Sequence, residues 1–384
     1  MKVAVIGAGM IGSAAARHLS KLGHEVCLIG PDEPREKKHH KGVFASHYDA
    51  GRITRTLDPD PFWARASADS IARYGDIQAE SGIPFYTECG LLMAGPSGHP
   101  AITKTQALAI QESYEFQSYS AGALSSRFPD FSFDASTHAL FEPKGAGYID
   151  PRALVAAQIA IAQNAGATRA LQIANGVRET ASGVEIETED RQFTADQVLV
   201  AAGGFSNMVL SEPLPITVMA RTILMVEVEE REAERLTGLP PVIQYFGDGT
   251  DMYLLPPIKY PDGRYYIKLG GDPSDVVLGD IGQIKKWFRQ GGDGAVGGTL
   301  DEILTTLMPS AKLGSRYIAS CVTTFSEDQR PILKRLSDRV SVATAGCGRG
   351  AKCSDELGRL GAVIALGHDL PVWVDVARPK ASGL

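Results

Sequence analysis

The sequence predicts an α/β protein: a Rossmann-type dinucleotide-binding domain interleaved with an α+β domain built on an antiparallel sheet. Three observations predict it. A hydrophobic strand, Lys2 to Ile6, runs directly into the glycine loop Gly7-Ala-Gly-Met-Ile-Gly12 at the start of the chain. A buried strand ending in small residues, Ala195 to Gly204, returns to this pattern in mid-chain. A third strand, Arg339 to Ala345, meets Gly346-Cys-Gly-Arg-Gly350 near the end, and alternating strands with long connections fill the interval from Pro213 to Thr324.

The opening segment carries a chemical meaning of its own. In a βαβ unit Gly7 makes the tight turn and Gly9 lets the backbone approach a pyrophosphate. Gly12 lets the helix pack closely on the strand, and the helix N-terminus faces the phosphates with free N–H groups and its positive dipole end. The context is right: the loop follows a β-branched strand and precedes a good helix, Ser13 to Leu22, closed by Gly23. A second strand, Glu25 to Ile29, follows. The acid that normally holds the ribose hydroxyls is absent from its end, where Gly30-Pro31 stands, with Asp32 and Glu33 just beyond. Either the acid is displaced to Asp32 or Glu33, or the ribose is held otherwise.

Further elements follow in order. Pro59 to Ser81 reads as one helix and Cys89 to Ala94 as a short strand, with turns and short elements through Phe141. Asp150 caps a long helix, Arg152 to Asn164, with Pro151 as its first residue. Gly166 to Ile173 is a strand and Gly176 to Thr188 a hairpin. Ile223–Val228, Met252–Pro256 and Tyr265–Leu269 read as neighbours in an antiparallel sheet. Lys285 to Gln290 and Thr299 to Met308 are helical, and the last helix has Ser354 as its cap with Asp355 and Glu356 in its first turn.

Composition bounds the rest. A chain of 384 residues can bury a large core and hold two domains, and 44% apolar with 22% charged residues is ordinary globular usage. A net charge of −7 argues against nucleic acid or an anionic membrane as the main partner. No apolar run reaches membrane-spanning length, and the first residues read as a strand, not a signal peptide. Five scattered cysteines without C-x-x-C spacing fit a reducing cytoplasm. His39 and His40 lack the further ligand a metal needs, so no metal is expected. His18, between Arg17 and Lys21, reads as facing water.

The segments GAGMIGSAAARHL, SHYDAGRITR, ADQVLVAAGGFS, YLLPP, YYIKLGGD, SCVTTFSEDQRPIL and GCGRGAK together span almost the whole chain. In this order they resemble the FAD-dependent amine oxidases of the D-amino-acid oxidase superfamily, close to the monomeric sarcosine oxidase and N-methyltryptophan oxidase branch. The resemblance implies a discontinuous FAD-binding domain over 1–82, 142–210 and 325–384, with a substrate domain over 83–141 and 211–324. It implies FAD contacts at Gly7, Gly9, Met10, Ile11, Gly12, Asp32, Ser46, His47, Arg52, Ala202, Gly203, Gly348, Gly350 and Lys352, and a covalent tether to the flavin at Cys321. Arg55 and Lys352 fall on carboxylate-binding positions, a role suited to guanidinium and ammonium groups. Lys268 falls where the branch promotes reaction with oxygen, and Arg52 and Tyr253 fall beside the flavin and in the pocket. Arg349 replaces a usual histidine and could reach a second acidic group on the substrate. Asp272 stands where the branch often has histidine.

The implied reaction is oxidation of the C–N bond of a secondary, N-methyl or cyclic, amino acid to an imine that hydrolyses, with oxygen reduced to hydrogen peroxide. The expected partners are this small amino acid and oxygen, with no nucleic acid or membrane, and the protein a monomer or homodimer in the cytoplasm. A flavin dehydrogenase passing electrons to a carrier shares every motif except the oxygen site. An inactive FAD-binding protein serving a partner fits the departures at Gly30, Arg349 and Asp272. An NAD(P)-dependent dehydrogenase is the outside case, with Arg35, Lys37 and Lys38 near a 2′-phosphate.

Overall fold

Continuous β-branched runs build the first of two large sheets in this computed structural model, which describes residues 1–271 and 276–376. Its six strands run in the order Ile332–Arg335, Val340–Thr344, Gln197–Val200, Lys2–Ile6, Glu25–Ile29 and Thr168–Ala170. Only the first pairing is antiparallel; the other four are parallel. Parallel strands buried on both faces need apolar residues throughout, and Val3, Val5, Leu199, Val200 and Val342 are all fully buried. The helices Met10–Lys21 and Gly350–Ala365 pack on this sheet and on each other. The carboxyl ends of the strands Lys2–Ile6 and Gln197–Val200 therefore open onto both helix N-termini, where a ligand crevice belongs in such sheets.

The second sheet has eight strands, in the order Arg316–Ser326, Ile216–Val228, Tyr265–Gly270, Asp251–Lys259, Val242–Tyr245, Leu91–Pro96, Thr137–Glu142 and Gln117–Ser120. The three strands expected to be antiparallel neighbours are so paired, with Met225 opposite Lys268 and Lys268 opposite Leu255. The stretch between Cys89 and Phe141 does more than turn: it supplies three strands of this sheet, joined by the parallel pairing of Val242 with Leu92.

Several elements differ from the sequence expectation, each for a local reason. The helix expected over 59–81 breaks into Pro61–Ile71 and Tyr74–Ser81, and Asp60 caps the first by accepting from the N–H groups of Phe62 and Trp63. The strand expected over 166–173 shrinks to Thr168–Ala170. The hairpin gains a third strand, Gln192–Ala195, so the mid-chain buried strand begins only at Gln197. Asp280 and Asp293 cap the helices Ile281–Gln290 and Gly294–Leu307, which start earlier than their apolar pattern alone suggests. No helix is long and apolar enough to cross a membrane among the described residues.

The largest correction concerns the last helix. It starts at Gly350, and Ser354, Asp355 and Glu356 lie buried within it. Asp355 accepts from Arg17 Nη2 at 2.7 Å, Arg73 Nε at 2.5 Å and Gln158 Nε2 at 2.8 Å. His18 therefore turns inward, its Nε2 3.4 Å from Asp355, instead of facing water. Burial holds its imidazole below the ordinary histidine value of 6.5, outweighing the Asp355 carboxylate. Asp355 is held far below the ordinary carboxylate range; burial opposes this, but His18, Arg17 and Arg73 outweigh it.

Both shifts have the same sign for stability. A base kept neutral in the fold binds protons more readily once unfolded, and so does a carboxylate depressed in the fold, so stability falls as pH drops. The histidine part is lost first, as pH falls through 6.5. His18→Asn is expected to flatten the decline of Tm between about pH 7 and pH 5, where an unfolded histidine titrates. A melting profile parallel to that of the parent would refute it.

Candidate functional site

Gly7 adopts φ +109° at the end of the first strand, and a Cβ there would run into the Ala201 carbonyl, so the turn demands glycine. Gly9 then caps the helix Met10–Lys21 with no side-chain cap and no acid in the first turn. The free N–H groups of that turn face a cleft. Its lining includes Gly7, Gly9, Met10, Ile11, Ser46, His47, Arg52, Ala202, Gly203, Cys321, Gly348 and Gly350. These residues come from five separated stretches of chain, brought together by the parallel strand order.

Three of the expected cofactor residues lie elsewhere. Gly12 sits behind the loop, where a Cβ would overlap the Gly7 carbonyl, so its role is helix packing. Asp32 is mostly exposed and pairs with Arg169 at 2.6 Å, away from the cleft lining. Lys352 is buried in a different cluster, described below. The glycine at position 30 has a steric cause: a Cβ there would stand 2.7 Å from the Ala8 nitrogen. The acid near this edge is Glu33, which takes both Nε and Nη2 of Arg152 at 2.6 and 2.8 Å. Its charge reaches His47, whose imidazole burial nonetheless pushes down to about 4. His47 is thus neutral, and its Nδ1 is buried beside Gly9 without a hydrogen-bond partner among the described residues.

Arg52 lies at the inner end of the cleft. It donates to the Ser46 carbonyl at 3.2 Å and stands 3.5 Å from Cys321 Sγ. It also pairs with Asp49. Asp49 in turn accepts from Lys268 Nζ at 2.5 Å and from the Tyr260 hydroxyl at 2.8 Å. Lys268 is completely buried, donates a second bond to the Gly51 carbonyl at 2.7 Å, and lies 5.6 Å from the centre of the Tyr253 ring. Burial, then Arg52, pulls its pKa well below the ordinary lysine value. The Asp49 carboxylate, 2.5 Å from the nitrogen, opposes that pull. Lys268 does not line the cleft itself; it stands behind Arg52 and Asp49.

Arg55, Arg349 and Lys352, predicted separately from two distant motifs, meet on one carboxylate. Arg55 Nη2, Arg349 Nε and Lys352 Nζ approach Asp58 Oδ2 at 3.3, 3.2 and 3.0 Å. Asp58 has no exposed side-chain surface. Burial alone would raise its pKa, but Lys352, Arg349 and Arg55 hold it down to about 2. Asp272 lies outside the described residues.

A cleft built on a Gly-x-Gly turn, two helix N-termini and an orphaned buried imidazole suits a dinucleotide that is also gripped beyond its pyrophosphate. The family model for FAD-dependent oxidoreductases of the DAO family matches residues 2–363. The chain belongs to the DAO family. Its cofactor is FAD, and the residues of the cleft fit it: Gly7 to Ile11 would hold the pyrophosphate, and His47 Nδ1 is a buried polar atom with no partner among the described residues.

Among similar DAO family members is the N-methyl-L-tryptophan oxidase of Yersinia pestis strain Pestoides F, 24% identical over 97% of this chain and 96% of that protein. Two solved structures share the fold. NikD, an unusual amino acid oxidase essential for nikkomycin biosynthesis, has a TM-score of 0.78 at 20% identity, covering 100% of this chain and 98% of that one. Glycine oxidase from Geobacillus kaustophilus has a TM-score of 0.73 at 19% identity, covering 96% and 95%. The chain is an FAD-dependent oxidoreductase.

Reading the sequence missed Asp49 and Asp58, the two acids that organise the cations. Asp58 carries a weak signal, since Thr56-Leu-Asp-Pro-Asp60 sets two acids around a proline just after Arg55. On that evidence it reads as a turn residue before a helix cap, and only the fold brings Lys352 to it across 294 positions.

Proposed function

We propose that this DAO family member oxidises the C–N bond of a secondary amino acid, N-methyl or cyclic, to an imine that hydrolyses, and reduces oxygen to hydrogen peroxide. The observation that carries the proposal is the convergence of Arg55, Arg349 and Lys352 on a buried carboxylate, a donor set made for a carboxylate-bearing substrate. The name of the Yersinia relative, an oxidase of an N-methyl amino acid, supports the same substrate class. FAD supplies the two-electron acceptor that oxygen then reoxidises.

The protein's own groups do the rest. Arg55 and Lys352 hold the substrate carboxylate and so fix the amine against the cofactor. Arg52, anchored by Asp49 and the Ser46 carbonyl, presents a fixed positive charge at the inner end of the cleft. Lys268 supplies a preorganised cation where negative charge develops on oxygen. Cys321, 3.5 Å from Arg52 and on the cleft wall, is the proposed covalent tether.

The test compares turnover of N-methyl amino acids with that of the matching N-methylamines lacking the carboxylate, read as hydrogen peroxide. The acids are expected to be preferred by about 100-fold or more, the worth of paired charge-assisted bonds. Acid-precipitated protein is expected to stay yellow, and the Cys321→Ala variant to release its colour. No peroxide from any amino acid, or equal turnover of the bare amines, would count against the reading.

A further inference from the structure

The cluster around Asp58 holds more positive charge and more unused donors than one carboxylate consumes. All three cations meet a single oxygen, Oδ2, while Oδ1 accepts the Asp60 N–H at 3.1 Å. Among the described residues, one acid therefore meets three bases within ion-pair distance. The other acids nearby are committed elsewhere or stand off. Glu142 accepts the N–H groups of Thr56 and Leu57 at 2.9 and 3.0 Å. Asp60 caps its helix and pairs with Arg330 at 2.9 Å. Asp251 and Tyr245 face the arginines from the antiparallel sheet, Asp251 beyond ion-pair distance, with His99 stacked on Tyr245 at 4.9 Å.

The unspent donors are graded by depth. Lys352 is 2% exposed, Arg55 11% and Arg349 30%. Arg55 Nε is buried with no partner among the described residues. Arg349 uses only Nε, so both terminal nitrogens of its guanidinium fork are free of partners among the described residues. A buried donor with no acceptor, as at Arg55 Nε, costs free energy unless a ligand meets it. The inner pair, Lys352 and Arg55, suits one carboxylate, and the outer fork of Arg349 is left for another.

We infer that the substrate carries a second carboxylate and that Arg349 is the residue that reads it: the protein acts on an N-substituted dicarboxylic amino acid. The inference rests on the proposed function for the inner carboxylate. Within ion-pair distance three cations meet one anion, and a dicarboxylate with a neutral amine brings two further negative charges to them. Arginine suits this task better than lysine because its planar fork binds a carboxylate through two parallel N–H bonds.

The test has two arms. In the first, kcat/KM for N-methylaspartate and N-methylglutamate is compared with that for N-methylnorvaline, which has similar length and no second acid. The dicarboxylates are expected to lead by about 10- to 100-fold, the factor for one charge-assisted pair, and Arg349→Met should collapse that ratio toward one. A ratio that is unchanged in Arg349→Met, or an apolar preference in the parent, overturns the inference. In the second arm, calorimetry on the parent holoenzyme compares inert glutarate with butyrate. Glutarate is expected to bind at least tenfold more tightly, and equal binding overturns the inference. Because this arm needs no turnover, tighter glutarate binding without oxidation of any amino acid would sustain the dicarboxylate site while sinking the proposed reaction.

Discussion

Asp58→Ala is expected to destabilise the protein by about 3–5 kcal/mol, the usual loss when one partner leaves a buried ion cluster. Three like charges, from Arg55, Arg349 and Lys352, would then share a pocket with no counter-ion at ion-pair distance among the described residues. Two costs add: their mutual repulsion in a poorly solvated site, and the desolvation that Asp58 now offsets. The depressed pKa of Asp58, about 2, reports the size of its favourable interactions with these cations, since burial alone would push it the other way. Asp58→Asn keeps the shape and one acceptor oxygen and should recover part of the loss, but not the charge. Thermal unfolding of the holoenzyme measures both variants. An added dicarboxylate should raise the Tm of Asp58→Ala more than that of the parent, because a bound anion replaces the missing one. A Tm for Asp58→Ala within about a degree of the parent would show that solvent already neutralises the cluster, contrary to the burial of Asp58 and Lys352.

The same acid shows how far the sequence could be read. The glycine loop, its flanking strand and the return strands at 197–200 and 340–344 are legible because each is local: a period, a turn residue, a run of β-branched side chains. The antiparallel neighbours at 223–228, 252–256 and 265–269 are legible for the same reason. Charged residues buried inside helices are not. Asp355 sits in a helix where the local pattern reads it as a first-turn acid, and only Arg17 and Arg73, brought from far along the chain, make its burial tolerable. Asp49 and Asp58 are of the same kind. Each looks like a loop residue until the fold places a cation beside it. Gly30 is of another kind, since a Cβ there would stand 2.7 Å from the Ala8 nitrogen, a steric fact with no sequence signature.

Lys268→Met is expected to slow reaction with oxygen by about 100- to 1000-fold, the range for removing one preorganised charge-stabilising group. Methionine nearly matches the aliphatic stem, so the strand pairings to Met225 and Leu255 survive and only the ammonium is lost. Asp49 keeps Arg52 and Tyr260 as partners, so no carboxylate is left bare. The loss should therefore fall on the oxygen half of the cycle. Stopped-flow separates the halves: anaerobic bleaching by substrate reports the first, and reoxidation in aerated buffer reports the second. If Lys268 serves oxygen, the second slows far more than the first. If it merely ties the loop at Asp49 and Gly51 to the sheet, both slow together, and Lys268→Arg, which keeps a charge but not the fit, rescues neither. Normal reoxidation in Lys268→Met would remove Lys268 from the oxygen chemistry and leave its ammonium as a fastener between sheet and cleft wall.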